Sequence, residues 1–182
     1  MRDYEVLRQT YKPSQIKVLL IAESPPPNAE VGGSRHFYRA DKPRQGDRLF
    51  VNTMKAIYPD AALLTEQQLE SGKEEWLRRF QTDGFYLIEA LEISQKHEVT
   101  KEERQRKISQ ALPSLIGRVK ELAMADTKII LIKSNVFEVA ASPLREAGFD
   151  VLNRGLVDYP GQYNQRTYRE KLTTLLKEHH VI

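Results

Sequence analysis

Residues 16–22 read IKVLLIA, an apolar run with branched side chains, and FYLI at 85–88 and KIILI at 128–132 repeat the pattern. Bounded runs of about four to eight such residues are what strands buried on both faces look like, and such strands belong to parallel sheets. FDVL at 149–152, after Gly148 at the end of a helical stretch, is a fourth candidate. Helical periodicity fills the intervals. It is expected over 47–57, over 66–80 with Leu69, Trp76, Leu77 and Phe80 inward, and from Thr100 towards Met124 with Ile108, Leu112, Leu115, Ile116, Val119 and Leu122 on one stripe. Thr100 and Glu103 have capping-box spacing, and Pro113 is expected to kink or interrupt the helix. A last helix opens at Asn164 or Thr167 and turns Tyr168, Leu172, Leu175 and Leu176 inward. Strands alternating with helices predict an α/β fold whose mostly parallel sheet is covered on both faces.

A chain of 182 residues, 40% hydrophobic and without a linker-like segment, predicts a single domain over 1–182. The 28 basic and 25 acidic residues leave a net charge of +3, which permits a nucleic-acid or phosphate partner without requiring one. No run of about 18 apolar residues and no apolar signal core is present, so the expectation is a cytoplasmic monomer without membrane contact. Zero cysteines exclude disulfides, thiolate metal sites, iron–sulfur clusters and a cysteine nucleophile. The four histidines show no metal spacing, and no cofactor is expected.

In such folds the loops leaving the carboxyl ends of the strands carry the site. These are residues 23–46, 89–99, 133–135 and 153–164. The first holds Gly32, Gly33, Arg35, His36, Phe37, Tyr38, Arg39 and Arg44; the last holds Arg154, Asp158, Tyr159, Pro160, Gly161, Gln162, Tyr163 and Asn164. Both are rich in aromatic and hydrogen-bonding groups.

AESPPP at 22–27, GGSRHFYRADKPRQGDRLF at 32–50, DGFYLIEALE at 83–92, IILIKSN at 129–135 and DYPGQYNQRTYREKL at 158–172 occur in an order that resembles the uracil-DNA glycosylase superfamily. The resemblance spans roughly residues 16–178 and implies a three-layer α/β/α sandwich with a central four-stranded parallel sheet. It puts Glu23 where the cluster-containing branch has its glutamate, Pro25 at the motif proline, and Ser24 where the best-known branch has a catalytic aspartate. It puts Phe37, with Tyr38, at the aromatic that stacks on a flipped base, and Glu89 at the base-reading asparagine. Tyr159-Pro160-Gly161-Gln162 replaces a histidine-proline-serine motif. Lacking cysteine, the chain would be a cluster-free relative.

The implied chemistry makes Glu23 the carboxylate that orients water and stabilises an oxocarbenium-like sugar, with Tyr159 donating to the leaving base. Ser24, Phe37, Tyr38 and Glu89 would bind the base. An ionised Glu89 only accepts, which favours a base edge presenting N–H groups over the mixed edge of uracil. Arg35, Arg39, Arg44, Gly161, Gln162 and Asn164 would meet phosphate or DNA, single- or double-stranded. The same residues have structural alternatives: Glu23 bonding a turn, Phe37 and Tyr38 packing a loop, Glu89 paired with Lys133, Arg39 or Arg35, and 159–164 forming a plain turn before a helix. Three functions follow: a DNA glycosylase-like enzyme for a damaged or deaminated base, a non-catalytic nucleic-acid or nucleotide-binding module, and a small-molecule hydrolase of similar architecture, the last without a nucleophile-elbow context around Ser24.

Overall fold

The computed structural model describes residues 3–26, 36–40, 46–95 and 99–182. Among them, β1 (Val18–Ala22), β2 (Phe85–Glu89), β3 (Lys128–Leu131) and β4 (Asp150–Val151) form one sheet in the order β2-β1-β3-β4, parallel throughout. The helices are α1 (Asp3–Thr10), α2 (Arg48–Ile57), α3 (Pro59–Ala62), α4 (Glu66–Ser71), α5 (Lys73–Thr82), α6 (Lys101–Leu122), α7 (Ser134–Glu146) and α8 (Gln165–Glu178). α2 packs on α8, and α6 packs on α7. Right-handed crossovers account for this pairing: the chain steps from β1 to β2 in one direction and from β2 over β1 to β3 and β4 in the other, which sends the connecting helices to opposite faces. The result is the α/β/α sandwich around a four-stranded parallel sheet that the sequence predicts.

Helices on both faces explain why all five residues of β1 and of β2 are buried. Register between them is fixed where β2 begins. The Gly84 carbonyl accepts the N–H groups of Lys17 (2.8 Å) and Val18 (3.2 Å), and Gly84 sits at φ +87°, where a Cβ would lie 2.8 Å from the Lys17 side chain and 3.1 Å from the Gln15 carbonyl. Only glycine meets both demands without strain. β4 is two residues long, and a side chain finishes its work. Buried Asn153 accepts from the Leu131 N–H (3.0 Å) and donates to the Leu131 carbonyl (3.1 Å), so β3 keeps a full set of partners beyond the end of the short strand.

Three local expectations change. The helix expected over 66–80 is two helices, because Gly72 caps the end of α4 and the start of α5. The full capping box lies at Thr65 and Gln68, whereas Thr100 caps α6 by accepting from the Glu103 N–H. Pro113 does not interrupt α6, which runs for 22 residues. Pro113 and Ser109, whose carbonyl loses its partner, are both exposed, so water can take the place of the missing N–H.

Candidate functional site

The order β2-β1-β3-β4 places a switch point between β1 and β3, whose following connections leave in opposite directions. Crevices open at the carboxyl edge of such a point. Here the crevice is a cleft of about 250 Å³ lined by residues that include Glu23, Ser24, Pro25, His36, Phe37, Asp47, Glu89, Arg104, Lys133 and Tyr159. A cleft of that size has room for a small ligand such as one heterocyclic base.

Glu23 follows β1 directly, and the pairing of β1 with β2 continues past it, since its carbonyl accepts the Leu91 N–H (2.8 Å). Its side chain is 4% exposed. Oε1 accepts from Arg104 Nη1 and Lys133 Nζ, each at 2.8 Å, and Oε2 from Asn135 Nδ2, also at 2.8 Å. Burial alone would push the carboxyl pKa up; the bonds from Lys133, Asn135 and Arg104 outweigh it and hold Glu23 below the ordinary glutamate value. A carboxylate has about four acceptor positions, and three are used. One remains on Oε2.

Glu89 ends β2 at the base of the cleft. Oε2 accepts from Arg8 Nη1 at 2.9 Å, so α1 reaches across to neutralise it. His36 completes the arrangement. Its Nδ1 accepts from the Tyr38 N–H (3.3 Å), which leaves the ring proton on Nε2, 3.5 Å from Glu89 Oε1. At that length it is an electrostatic contact, and Nε2 makes no closer hydrogen bond among the described residues. Burial raises the Glu89 pKa, and the facing His36 and Arg8 bring it below the usual value. Glu89 therefore pairs with Arg8, a partner the sequence did not suggest, and not with Lys133 or Arg39, which it did; Lys133 belongs to Glu23.

Behind the aromatic wall, Asp47 caps α2 through the Phe50 N–H (3.1 Å) and holds Lys73 Nζ at 2.6 Å, while Lys73 also donates to the His36 carbonyl (3.0 Å). Among the described residues, the carboxylates of Glu23, Glu89 and Asp47 are each bonded to at least one cation, Arg104 and Lys133 to Glu23, Arg8 to Glu89 and Lys73 to Asp47.

Of the residues singled out in the sequence, Glu23, Ser24, Phe37, Glu89 and Tyr159 line this one cleft. Tyr38 does not. Its ring is fully buried and stacks on Tyr11, and its hydroxyl accepts from the Leu87 N–H (2.7 Å) and donates to the Leu87 carbonyl (3.2 Å), so it braces β2 from within the core. Arg39 is also buried rather than turned to solvent for phosphate. Gly161, Gln162 and Asn164 lie between Tyr159 and α8, outside the cleft lining; Gln162 and Asn164 are exposed, and so, at 88%, is Tyr163. Asn164 occupies the N-cap position of α8 without a side-chain capping bond. Gly32, Gly33, Arg35 and Arg44 lie outside the described residues.

Arg8, His36, Arg104, Lys133 and Asn135 carry roles in the site that sequence reasoning did not assign. Arg104 had a signal: it precedes Ile108 by four positions on the buried stripe of α6, and a cation there needs a partner. Arg8 stands four residues after buried Tyr4 in the same way. Lys133 has the rarer mark, a non-glycine residue at φ 82° and ψ 141° between β3 and α7.

No protein-family model, curated protein or solved structure matches this chain. Among the described residues no helix is long and apolar enough to cross a membrane, and no group of acidic and histidine side chains is arranged to hold a metal ion.

Proposed function

We propose that the chain is a DNA glycosylase-like enzyme that receives a base turned out of the stack and hydrolyses the N-glycosidic bond of a damaged or deaminated base. One observation carries the reading: Glu23, Ser24, Phe37, Glu89 and Tyr159, distant in sequence and picked out by the resemblance to the uracil-DNA glycosylase superfamily, line a single base-sized cleft. Glu23 is ionised and has one acceptor position left, which orients a water towards the sugar carbon while its charge favours the cationic transition state. Tyr159, at the rim, donates to the departing base. Phe37 presents ring surface to the base plane. At the base of the cleft Glu89 accepts and His36 Nε2–H donates, which fits a base edge carrying both an N–H and a carbonyl, a mixed edge where Glu89 alone would have favoured N–H groups only.

A second reading is favoured by a specific contact. Arg104 and Lys133 already balance Glu23, which weakens what the carboxylate can give a cationic sugar, and a module that binds nucleic acid or nucleotides without cutting would tolerate that. Incubating the protein with single- and double-stranded oligonucleotides carrying uracil, hypoxanthine or xanthine, followed by alkaline cleavage at abasic sites, separates the two. Base release that is lost in Glu23→Gln supports the enzyme. Salt-sensitive binding with no release from any substrate leaves the binding module, and the absence of both sinks both readings.

A further inference from the structure

We propose that Lys133 is a nucleophile towards abasic DNA, giving the protein a strand-cleaving lyase activity in the same cleft. The proposal rests on the glycosylase reading of that cleft and extends it to the product, a sugar without its base.

Three observations converge on this side chain. First, Lys133 stands at the carboxyl edge of the switch point, and its amine, on a side chain 34% exposed, lines the cleft. Among the described residues, Lys73 also lies near the site but is 3% exposed and held by Asp47, the His36 carbonyl and the Phe50 ring, and Lys107 donates to Gln95 at 2.9 Å. Second, Lys133 is held at φ 82°, a conformation that costs a side-chain-bearing residue free energy and concentrates at functional positions. Its N–H bonds the Val157 carbonyl at 2.7 Å, which fixes the strained turn in place. Third, the ion pair alone does not call for a lysine there. Arg104 and Asn135 already engage both oxygens of Glu23, so the carboxylate keeps its place when the amine moves to a substrate. An amine beside a second cation in a partly closed cleft is a recurring setting for lysine nucleophiles.

The chemistry balances without a further reactant. The Lys133 ammonium and the open-chain aldehyde of the abasic sugar form a C1′=N iminium and one water, the carbonyl oxygen leaving with two protons of the amine. Glu23 then takes a proton from C2′; the electrons of that C–H bond form the C2′=C3′ double bond, and the C3′–O bond breaks with the phosphate as leaving group. Hydrolysis of the imine frees the unsaturated aldehyde and restores the amine, and Glu23 returns its proton to solvent.

The test uses the whole protein, an end-labelled oligonucleotide with one preformed abasic site, and sodium cyanoborohydride, which reduces the imine to a stable amine. The wild type is expected to give a slow-migrating covalent adduct mapped by peptide mass to Lys133. The adduct is lost in Lys133→Gln and in Lys133→Arg, which keeps the charge and the Glu23 contact and whose thermal midpoint reports intact folding. It persists in Lys120→Gln, a change on the exposed face of α6. No adduct with the wild type, or an adduct that survives both Lys133 changes, overturns the proposal. Because the abasic site is supplied ready-made, trapping without base release retains the lyase and removes the glycosylase reading, whereas Glu23-dependent base release without trapping does the reverse.

Discussion

Glu23→Gln tests how the site is held together. The change keeps the side-chain shape but removes the charge and points an amide N–H pair at donors. Three bonds of 2.8 Å are affected. Lys133 is exposed enough to recover hydration, so its share is set near zero. Arg104, with a side chain 15% exposed, and buried Asn135 cannot turn to water, and each loses a charge-assisted bond for a poorer one, about 1 to 1.5 kcal/mol apiece. The expected cost is therefore about 2 to 3 kcal/mol, less than for severing a fully buried pair. With a urea m-value of about 2 kcal/mol/M, the unfolding midpoint moves down by about 1 to 1.5 M. Fluorescence of the single tryptophan, Trp76, half-buried on α5, reads the transition. A midpoint that is unchanged or higher refutes the reasoning, since it would mean that Glu23 is a carboxylate tolerated for activity rather than one stabilised by its three donors.

Acid should unfold the protein through the same groups. Glu23 and Glu89 both titrate below the ordinary glutamate value in the folded chain, so their stabilisation is fully present above the unfolded pKa of about 4.3 and is lost as pH falls through the folded values. Urea midpoints should stay level between about pH 7 and pH 5 and drop below about pH 4; a midpoint that climbs on acidification contradicts the assignment. Asn153→Ala removes the side chain that pairs both backbone groups of Leu131, leaving a buried N–H and C=O unsatisfied at a cost of about 2 to 4 kcal/mol. Hydrogen exchange at the Leu131 amide should accelerate in that variant, and unaltered protection there would show that β3 does not depend on Asn153.

Much of the fold was legible because local composition decided it. IKVLLIA, FYLI and KIILI are apolar and β-branched throughout, and only a strand covered on both faces buries such a run. The strand-end rule then put Glu23, Glu89 and residues 133–135 on one edge before any pairing was known. Pro113 left a kink and a break open, and whether the helix breaks depends on whether water reaches the orphaned carbonyl, which the helix face decides. Tyr38 misled for a related reason: an aromatic beside Phe37 in a long loop looks the same in sequence whether it faces a cleft or the core. α1 offers only a short polar stretch with Tyr4 and Arg8, and nothing local says that it will cover the end of β2.

The sequence by itself determined the layers, the parallel sheet and the edge at which function sits, since these follow from the period and length of apolar runs and from the handedness of the crossovers. The tertiary structure decided which charges meet. Glu23 is separated from Arg104, Lys133 and Asn135 by 81, 110 and 112 positions, and Glu89 from Arg8 by 81. Any of the chain's 28 cations could have been written beside either carboxylate. Coulomb attraction is indifferent to chain order, and only the packing of α1, α6 and the turn at Lys133 against the sheet selects the partners.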